Sequence, residues 1–325
     1  MKSQELETLL IKFTGVTILV IGDYFLDLYL EIDPALAETS LETGLQVHQV
    51  VRTRTYPGAA GTVTSNLRAL GVKVIALGVI GDDGNGYELK RALAETGVDI
   101  SSLIETRERF TPTYTKPLRD GRELNRLDIK NRTALPREIE NQVVERLCEL
   151  VRRVDGVIIV DQVQEQNCGG ITDRVREEIS TLARQHREKI FVAESRERIG
   201  LFRDVIVQAN QHEAKCATEF ESVEDCGAEL QRRTQRAVII TVGAEGIKLF
   251  EENGCTHVLG VRVEGEIDTV GAGDSVIAGF SAALCAGASL TQAAEVGNLV
   301  AAVTIQQIGV TGTASPDQVL EMNRV

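Results

Sequence analysis

The stretch that decides the fold reads Asp268-Thr269-Val270-Gly271-Ala272-Gly273-Asp274-Ser275. Apolar residues follow it at helical spacing from Val276 to Leu284, which predicts that a helix begins within Gly271 to Asp274. Gly271 and Gly273 can adopt backbone conformations that other residues avoid, and they leave room for a ligand to touch the main chain. Because the first N–H groups of a helix have no partner within it and point to one spot, this turn favours a bound anion.

Asp274 adds a carboxylate to the same turn. A carboxylate beside an anion site can take the proton from a hydroxyl group that attacks a terminal phosphate. The alternative is structural: Asp274 caps the helix and the glycines only form a tight turn, as most short glycine-rich stretches do. The turn by itself leaves both interpretations open.

Composition sets the broad class of the chain. The 325 residues, of which 43% are hydrophobic, suffice for one α/β domain that spans residues 1–325. A formal charge of -13 argues against a general nucleic-acid surface. Six cysteines without a C-x-x-C pair predict reduced thiols rather than a zinc site or a disulfide framework. Since no signal peptide or membrane-spanning run is present, we expect a cytoplasmic protein without a membrane partner.

Short apolar runs alternate with helical patterns along the chain, which predicts a mostly parallel sheet covered by helices on both faces. The predicted strands are Val16–Ile21, Val74–Ile80, Val157–Val160, Ile190–Ala193, Val205–Ala209 and Val238–Val242. The predicted helices are Thr62–Leu70, Gly86–Thr96, Pro136–Val151, Thr172–His186, Val223–Gln235, Asp274–Cys285 and Leu290–Gln307.

Two segments without intervening helices interrupt this alternation, at approximately 26–55 and 110–130. The second contains Asp120-Gly121, a strong hairpin signal, between Thr113–Lys116 and Glu123–Arg126. These strands are predicted to form a small separate sheet; an extension of the main sheet is the alternative.

Three further motifs follow predicted strands. Thr241-Val242-Gly243-Ala244-Glu245-Gly246 is by itself more typical of a hairpin turn than of a ligand site. Asn210 and Glu213 have the spacing of a helix capping box. Asp23 and Asp27 follow the first strand, where open α/β sheets bind ligands, and they either contact a sugar or lie in solvent.

Taken together, these motifs resemble the ribokinase-like (PfkB) carbohydrate kinases over about residues 16–316. The strongest match is the Asp268–Asp274 signature. The Asp23–Asp27 segment, Arg126-Leu127-Asp128 and Glu194–Arg198 resemble the branch of heptose-phosphate kinases. The resemblance implies a ribokinase-like fold with a central, mostly parallel sheet, and a small β-sheet lid that closes over the sugar and often pairs with its copy in a dimer.

The resemblance also implies roles for individual residues. Asp274 is the catalytic base, and Gly271, Ala272 and Gly273 form the anion hole. Asn210 and Glu213 help to place Mg²⁺, usually through water. The implied ATP contacts are Thr241, Gly243, Gly246, Asp268, Thr269 and Asn298. The implied acceptor contacts are Asp23, Asp27, Gly58, Ala59, Thr62, Lys116, Arg126 and Asp161.

Two departures concern the acceptor pocket. Ala59 replaces one glycine, and Thr62 replaces the sugar-binding asparagine, of the family's proline-glycine-glycine-x-x-asparagine motif. Gln162 after Asp161 replaces a tyrosine of the similar branch. Threonine offers one short hydroxyl where asparagine offers an amide, so we expect an acceptor other than ribose or a simple hexose.

The expected function is therefore ATP-dependent phosphoryl transfer to a hydroxyl of a sugar or sugar phosphate. A nucleoside kinase on the same fold is one alternative. A non-catalytic relative that binds a nucleotide or sugar is another, which Thr62 and Gln162 favour and Asp274 disfavours. A dinucleotide-dependent oxidoreductase is disfavoured because no G-x-G-x-x-G follows the first strand.

Overall fold

The computed structural model describes residues 1–324. Its helices are α1 Ser3–Lys12, α2 Ala60–Ala69, α3 Gly84–Glu95, α4 Arg137–Leu150, α5 Asp173–Gln185, α6 Gln211–Thr218, α7 Val223–Thr234, α8 Ala272–Cys285, α9 Leu290–Thr304 and α10 Pro316–Met322. Its strands are β1 Thr17–Gly22, β2 Tyr24–Thr39, β3 Gln46–Ala59, β4 Lys73–Leu77, β5 Val79–Gly81, β6 Ile104–Thr106, β7 Thr113–Arg119, β8 Arg122–Glu123, β9 Leu127–Ile129, β10 Gly156–Asp161, β11 Ile190–Ser195, β12 Ile206–Asn210, β13 Val238–Thr241, β14 Gly246–Glu251 and β15 Gly254–Leu259.

The large sheet has the strand order β15-β14-β13-β12-β11-β10-β1-β4. Strands β4, β1 and β10 to β13 are parallel, and β14 and β15 add an antiparallel edge. Alternate residues of β1 belong to different cores, Ile18 and Val20 to one face and Leu19 and Ile21 to the other. Strands that are buried on both faces have continuous apolar sequences, and this pattern predicted the mostly parallel sheet. The structure confirms that prediction.

The predicted strand Val74–Ile80 was wrong in one respect, because the chain leaves the large sheet at Gly78. Residues Lys73–Leu77 pair with β1, whereas Val79–Gly81 pairs with β6 in a separate two-stranded sheet. A Cβ atom at Gly78 would lie 2.5 Å from the Tyr24 ring and 2.7 Å from the Gly22 carbonyl oxygen. Gly78 therefore permits a close backbone crossing that apolar periodicity does not reveal.

The second sheet is the small lid, formed by β2, β3, β7, β8 and β9. Strand β2 follows β1 after the single residue Asp23, and β3 ends directly before α2, so both lid strands join the body at one edge. The separate sheet predicted from sequence is confirmed, and the alternative, an extension of the main sheet, is wrong.

The predicted lid hairpin is also present. Asp120 and Gly121 have φ values of 50° and 75°, as a two-residue hairpin turn of the I′ type requires. The returning strand differs from the prediction: it stops at Glu123, and Leu127–Ile129 then pairs with the start of β7. Arg126 consequently lies outside the ladder, close to the point where the lid meets the body.

Candidate active site

The start of helix α8 forms a cradle of free backbone N–H groups. Gly271 is the N-cap residue with φ 78°, the left-handed conformation that glycine adopts most readily. Ala272 N donates to Thr269 O over 3.2 Å, but within residues 1–324 the N–H groups of Gly271, Gly273 and Asp274 have no acceptor. Asp274 lies in the first turn and does not cap the helix, so the capping alternative for Asp274 is wrong. The turn can hold an anion such as a phosphate.

The side chains of Asp268 and Gln208 hydrogen-bond to the backbone of this turn and fix its position. Asp268 accepts from Val270 N and from Gly309 N, both over 3.1 Å. Gln208, which is buried on β12, donates through Nε2 to Gly273 O over 2.9 Å. Asp268 was predicted to contact ATP; its two oxygens join the turn to the 305–312 loop, and it does not line the cleft.

A cleft of about 480 Å³ opens between this turn, the carboxyl ends of the central strands and the lid. This volume suits a small-molecule site. The predicted residues that line it are Asp27, Gly58, Ala59, Thr62, Lys116, Arg126, Asn210, Glu213, Thr269, Gly271, Ala272, Gly273 and Asp274.

The Asp274 carboxyl is half-buried at the wall of the cleft, in a largely acidic environment. Burial raises its pKa to about 7, and the negative charges of Asp27 and Glu213 act in the same direction. A hydrogen bond with Glu194 and the positive charge of Arg196 partly oppose this rise in pKa. An aspartate with a pKa near neutrality has the basicity that a general base needs.

Asn210 and Glu213 form the capping box of α6 that was one of the two sequence interpretations. Asn210 Oδ1 accepts from Glu213 N, and Glu213 Oε2 accepts from Asn210 N, each over 2.9 Å. Both residues nevertheless line the cleft. Burial raises the pKa of Glu213, although its hydrogen bonds with Asn210 and the charge of Arg196 oppose this. The cap thus fixes a carboxylate at the cleft wall.

Lys116 and Asp27 form an ion pair beneath the lid. Lys116 Nζ lies 3.2 Å from Asp27 Oδ1 and 3.1 Å from the Tyr29 hydroxyl oxygen, and it lies over the Tyr29 ring. Burial raises the pKa of Asp27, and the charge of Lys116 opposes that rise. The lysine therefore keeps Asp27 in a form that can accept from a sugar hydroxyl.

Further cationic side chains surround the cleft. The Arg126 guanidinium binds Asp128 with both a 2.7 Å and a 2.9 Å hydrogen bond and stacks 4.3 Å from the Tyr114 ring centroid. Lys130 lies near the same ring, at 5.7 Å. Arg196 from the end of β11 reaches the cleft, and its Nε lies 3.4 Å from Gln162 Oε1.

Ala59 and Thr62, which depart from the family's proline-glycine-glycine-x-x-asparagine motif, have structural consequences. Ala59 is the N-cap residue of α2 with φ 53° and ψ -118°, which explains why the family has glycine there. A non-glycine residue in such a region costs about 1–3 kcal/mol. Thr62 lies against the turn before α8: its methyl carbon would be 3.5 Å from a Cβ atom placed on Gly271. Its hydroxyl is 3.4 Å from Pro57 O, so it is weakly held.

Asp23 and Asp161, both predicted as sugar contacts, do not line the cleft. Asp23 is buried and accepts from Gln162 N, Val163 N and Gly170 N over 2.7 to 2.9 Å. Asp161 is buried in an ion pair with Arg198 at 2.6 Å and accepts from Ser195 Oγ. Backbone and arginine donors occupy both carboxylates, which therefore brace the 162–170 loop.

The remaining predicted ATP contacts lie away from the cleft. Thr241 ends β13, and Gly243 and Gly246 flank the short turn into β14, as in the hairpin alternative. A Cβ at Gly246 would lie 2.3 Å from Gly260 N, so close chain packing explains that glycine. Asn298 donates to Val258 O and Leu259 O, and it lines a separate opening beside β15.

Several residues of the cleft received no role from the sequence. Glu194 and Arg196 had an available signal, because they are charged residues at the carboxyl end of a buried strand. Gln208 likewise was a polar residue inside an apolar strand. Phe25, Tyr114, Lys130 and Thr311 come from the lid and from a distant loop, and no local pattern marks them.

Among the residues that the structure describes, no helix combines the length and apolar character needed to cross a membrane. The six cysteines are free thiols. Across residues 1–324, no cluster of three or more His, Cys, Asp or Glu side chains is arranged to hold a metal ion.

Comparison with known proteins agrees with this architecture. Residues 25–318 match the pfkB family carbohydrate kinases. The bifunctional protein HldE of Geotalea uraniireducens (strain Rf4) is 29% identical over 98% of this chain and 65% of its own length. The protein of the same name from Citrifermentans bemidjiense is 30% identical over 98% of this chain and 66% of its own length. The chain therefore spans about two thirds of the length of these curated relatives.

Solved structures share the fold. Phosphofructokinase-2 from Escherichia coli, in complex with potassium, has a TM-score of 0.75 at 18% identity and covers 95% of this chain and 98% of its own. Arabidopsis thaliana ribokinase, complexed with ribose and ATP, has a TM-score of 0.71 at 17% identity and covers 95% and 99%.

The large sheet, the lid and the position of the turn before α8 define the ribokinase-like fold class. Within that class, the chain belongs to the pfkB family of carbohydrate kinases.

Proposed function

We propose that this kinase transfers the γ-phosphoryl group of ATP to a hydroxyl of a sugar or sugar phosphate, with Asp274 as the general base. The observation that carries the proposal is the position of Asp274 on the same turn as the free N–H groups of Gly271 and Gly273. A carboxylate base and an anion cradle on one turn place a hydroxyl and a phosphate side by side.

The acceptor oxygen forms a bond to the γ-phosphorus, the bond from that phosphorus to the bridging oxygen breaks, and ADP leaves. The hydroxyl proton passes to the Asp274 carboxylate. The free N–H groups donate to the phosphoryl oxygens as charge develops on them. Closure of the lid over the acceptor would exclude water and so suppress ATP hydrolysis.

Mg²⁺ fits the donor set at Asn210 and Glu213. One oxygen of each side chain accepts a hydrogen bond from a backbone N–H group. The second oxygen of the Glu213 carboxylate can still accept a hydrogen bond from metal-bound water. Mg²⁺ keeps several waters and needs few protein carboxylates. When bound, the ion would neutralise phosphate charge, and the two residues would order its water molecules.

Glu213→Gln tests this role without breaking the helix cap, because glutamine can still accept from Asn210 N. We expect the Mg²⁺ concentration for half-maximal activity to rise about tenfold, since a charge that orders the metal's water is lost. Glu221→Gln makes the same change on an exposed residue outside the cleft and serves as the control. An unchanged Mg²⁺ titration would leave Asn210 and Glu213 with the capping role alone.

The nucleotide would extend from the catalytic turn. Its terminal phosphates would occupy the free N–H groups of Gly271 and Gly273, and its base would enter the opening beside β15 that Asn298 lines. Thr241, Gly243 and Gly246 would then border the path between these two positions.

The acceptor side of the cleft favours an anionic sugar. Arg126, Lys130 and Arg196 line it together with the Lys116–Asp27 pair. Arginine and lysine side chains are the usual partners of phosphate groups. Thr62 cannot bridge two sugar hydroxyls as asparagine does, so a phosphate bound by these cations would restore the affinity lost at that position.

The test is a panel of sugars, their monophosphates and nucleosides with Mg²⁺-ATP, read by ADP release and by identification of the product. We expect a sugar monophosphate to give the highest kcat/KM. Efficient phosphorylation of ribose or fructose would contradict the phosphate preference. A nucleoside product would favour the nucleoside-kinase alternative, and binding without any product would favour the non-catalytic one.

We also propose a homodimer formed through the lid. Strand β3 lies at the edge of the lid sheet, and apolar residues including Val50, Val51 and Leu127 are exposed. An open edge with exposed apolar residues is a natural pairing surface.

Sedimentation at micromolar concentration should give a dimer for the wild type and a monomer for Val51→Lys. Ile11→Lys, which adds the same charge at an exposed apolar position on α1, should remain dimeric. A wild-type monomer under these conditions would contradict lid-mediated pairing.

A further inference from the structure

The buried carboxyl of Glu194 touches the carboxyl of Asp274. Glu194 lies on β11 with 7% of its surface exposed, both residues line the cleft, and a hydrogen bond between the two carboxyl groups influences the pKa of each. Gln162 Nε2 lies 3.4 Å from Glu194 Oε1 and donates to it. The proposed transfer uses Asp274 but gives no task to Glu194.

The sheet register places Glu194 under the catalytic turn. Glu194 on β11 pairs with Gln208 on β12, so the two side chains project from the same face of the sheet. Gln208 donates to Gly273 O over 2.9 Å. Two adjacent strands therefore support the first turn of α8. Strand β12 does so through Gln208, which binds the backbone of Gly273, and β11 does so through Glu194, which binds the side chain of Asp274.

Two carboxyl groups in contact, one buried and one half-buried, cannot both be ionised at low cost, so one of them retains a proton. The surrounding charges strengthen this conclusion, because Glu213 and Asp27 add negative potential and Arg196 is the nearby cation. A hydrogen bond between two carboxyl groups itself requires a proton on one of them.

We propose that Glu194 is a positioning residue for the base: it retains a proton, donates a hydrogen bond to one oxygen of the Asp274 carboxylate, and directs the other oxygen towards the acceptor hydroxyl. This inference rests on the proposed function. During transfer the acceptor proton moves to Asp274 and later to solvent, whereas Glu194 keeps its own proton. Glu194 thus contributes orientation and no net proton.

The first test compares two substitutions of Glu194 by the pH dependence of kcat/KM. Glu194→Gln keeps an N–H donor for Asp274 but cannot ionise. The acid limb of the profile, where activity falls as Asp274 gains a proton, should therefore keep its apparent pKa within about half a unit. An alkaline limb, where activity falls as Glu194 loses its proton, should disappear. Glu194→Met removes the donor, so the acid limb should move up by about one unit and kcat should fall about 10- to 100-fold with little change in the KM for ATP.

Glu197→Gln is the matched control, because Glu197 is exposed on the same loop and lies outside the lining of the cleft. It should leave both limbs in place. Equal losses in Glu194→Gln and Glu194→Met, or unmoved limbs in both, would overturn the positioning role.

The second test does not depend on activity. Melting temperatures between pH 5 and pH 9 are measured for the wild type, Glu194→Gln, Asp274→Asn and the double variant without nucleotide. The two single effects should be non-additive, because either substitution ends the contact between two ionisable carboxyl groups. Additive effects would overturn the shared-proton pair, whether or not Glu194→Met folds.

The two tests separate the possible failures. Non-additive melting without any phosphoryl transfer would sustain the pair and defeat the proposed function. Phosphoryl transfer that depends on Asp274, together with additive effects on the melting temperature, would support the proposed function and overturn the shared-proton pair. Mg²⁺ alone, added without nucleotide, should stabilise the wild type and Glu194→Gln equally; stabilisation of the wild type alone would make Glu194 a metal ligand and overturn its role as a proton holder.

Discussion

Asp274→Asn is expected to lower kcat about 10²- to 10⁴-fold while the affinity for ATP stays within about twofold. Asparagine has nearly the shape of aspartate, so the turn and its free N–H groups remain, but the amide cannot accept the hydroxyl proton. Steady-state kinetics on the acceptor found in the panel and calorimetric titration with ATP measure the two quantities. Near-normal turnover in this variant would remove Asp274 as the base.

The same substitution should also stabilise the protein at high pH. The folded-state pKa of Asp274 is raised from 3.8 to about 7, so its contribution to stability is present at low pH and is lost as the pH rises through about 7. Replacing the carboxylate by a neutral amide removes that loss, and we expect a gain of roughly 1–3 kcal/mol in the free energy of unfolding at pH 8 and little change at pH 4.

Asp317→Asn is the matched control for both measurements. Asp317 lies in the first turn of another helix, α10, and outside the cleft, so it changes the same chemical group at a similar helix position. We expect neither a loss of turnover nor a gain in stability at high pH. A similar stabilisation in both variants would indicate a helix-terminus effect instead of a buried charge.

The second large effect is the pH dependence of the wild-type enzyme. A base acts only when it has lost its proton, so kcat/KM should fall about tenfold per pH unit below about 7, and to about 1% of its plateau at pH 5. The direction follows from burial, which disfavours the charged carboxylate and so raises the pKa of Asp274.

Initial rates from pH 5 to 9 at constant ionic strength measure this profile, and ATP binding over the same range separates ionisation of the base from ionisation of the nucleotide. A flat profile between pH 5 and pH 8 would contradict a buried base with a raised pKa. Asp23, whose pKa burial raises to about 6, does not itself line the cleft but braces the 162–170 loop, so it would act through stability instead of through proton transfer.

Local patterns accounted for a large part of what was predicted. The buried strands could be recognised because a parallel strand covered on both faces needs a continuous apolar run. The hairpin at Asp120-Gly121 was recognisable because few residues tolerate positive φ at both central positions. The start of α8 could be placed because glycine, a small residue and a helical apolar pattern follow one another there.

Where the structure differs from what the local pattern suggests, the physical cause is that a side chain's partners come from distant segments. Asp23 and Asp161 lie at strand ends, which are suitable positions for a ligand contact. The carboxylate of Asp23, however, accepts from backbone N–H groups of the 162–170 loop, and that of Asp161 is paired with Arg198. The break of the predicted strand at Gly78 depends on how Tyr24 crosses it.

The sequence by itself determined the family, the layered α/β architecture and the identity of the turn that carries Asp274, since these depend on periodicity and on a short contiguous motif. Only the tertiary structure decided that Glu194 and Gln208 lie beneath that turn and that Lys130 joins the predicted Lys116 and Arg126 at the cleft. The register of adjacent strands and the way in which the lid folds back over the cleft bring these residues together. A pKa raised to about 7 at Asp274 likewise follows from burial and from charges that are remote along the chain.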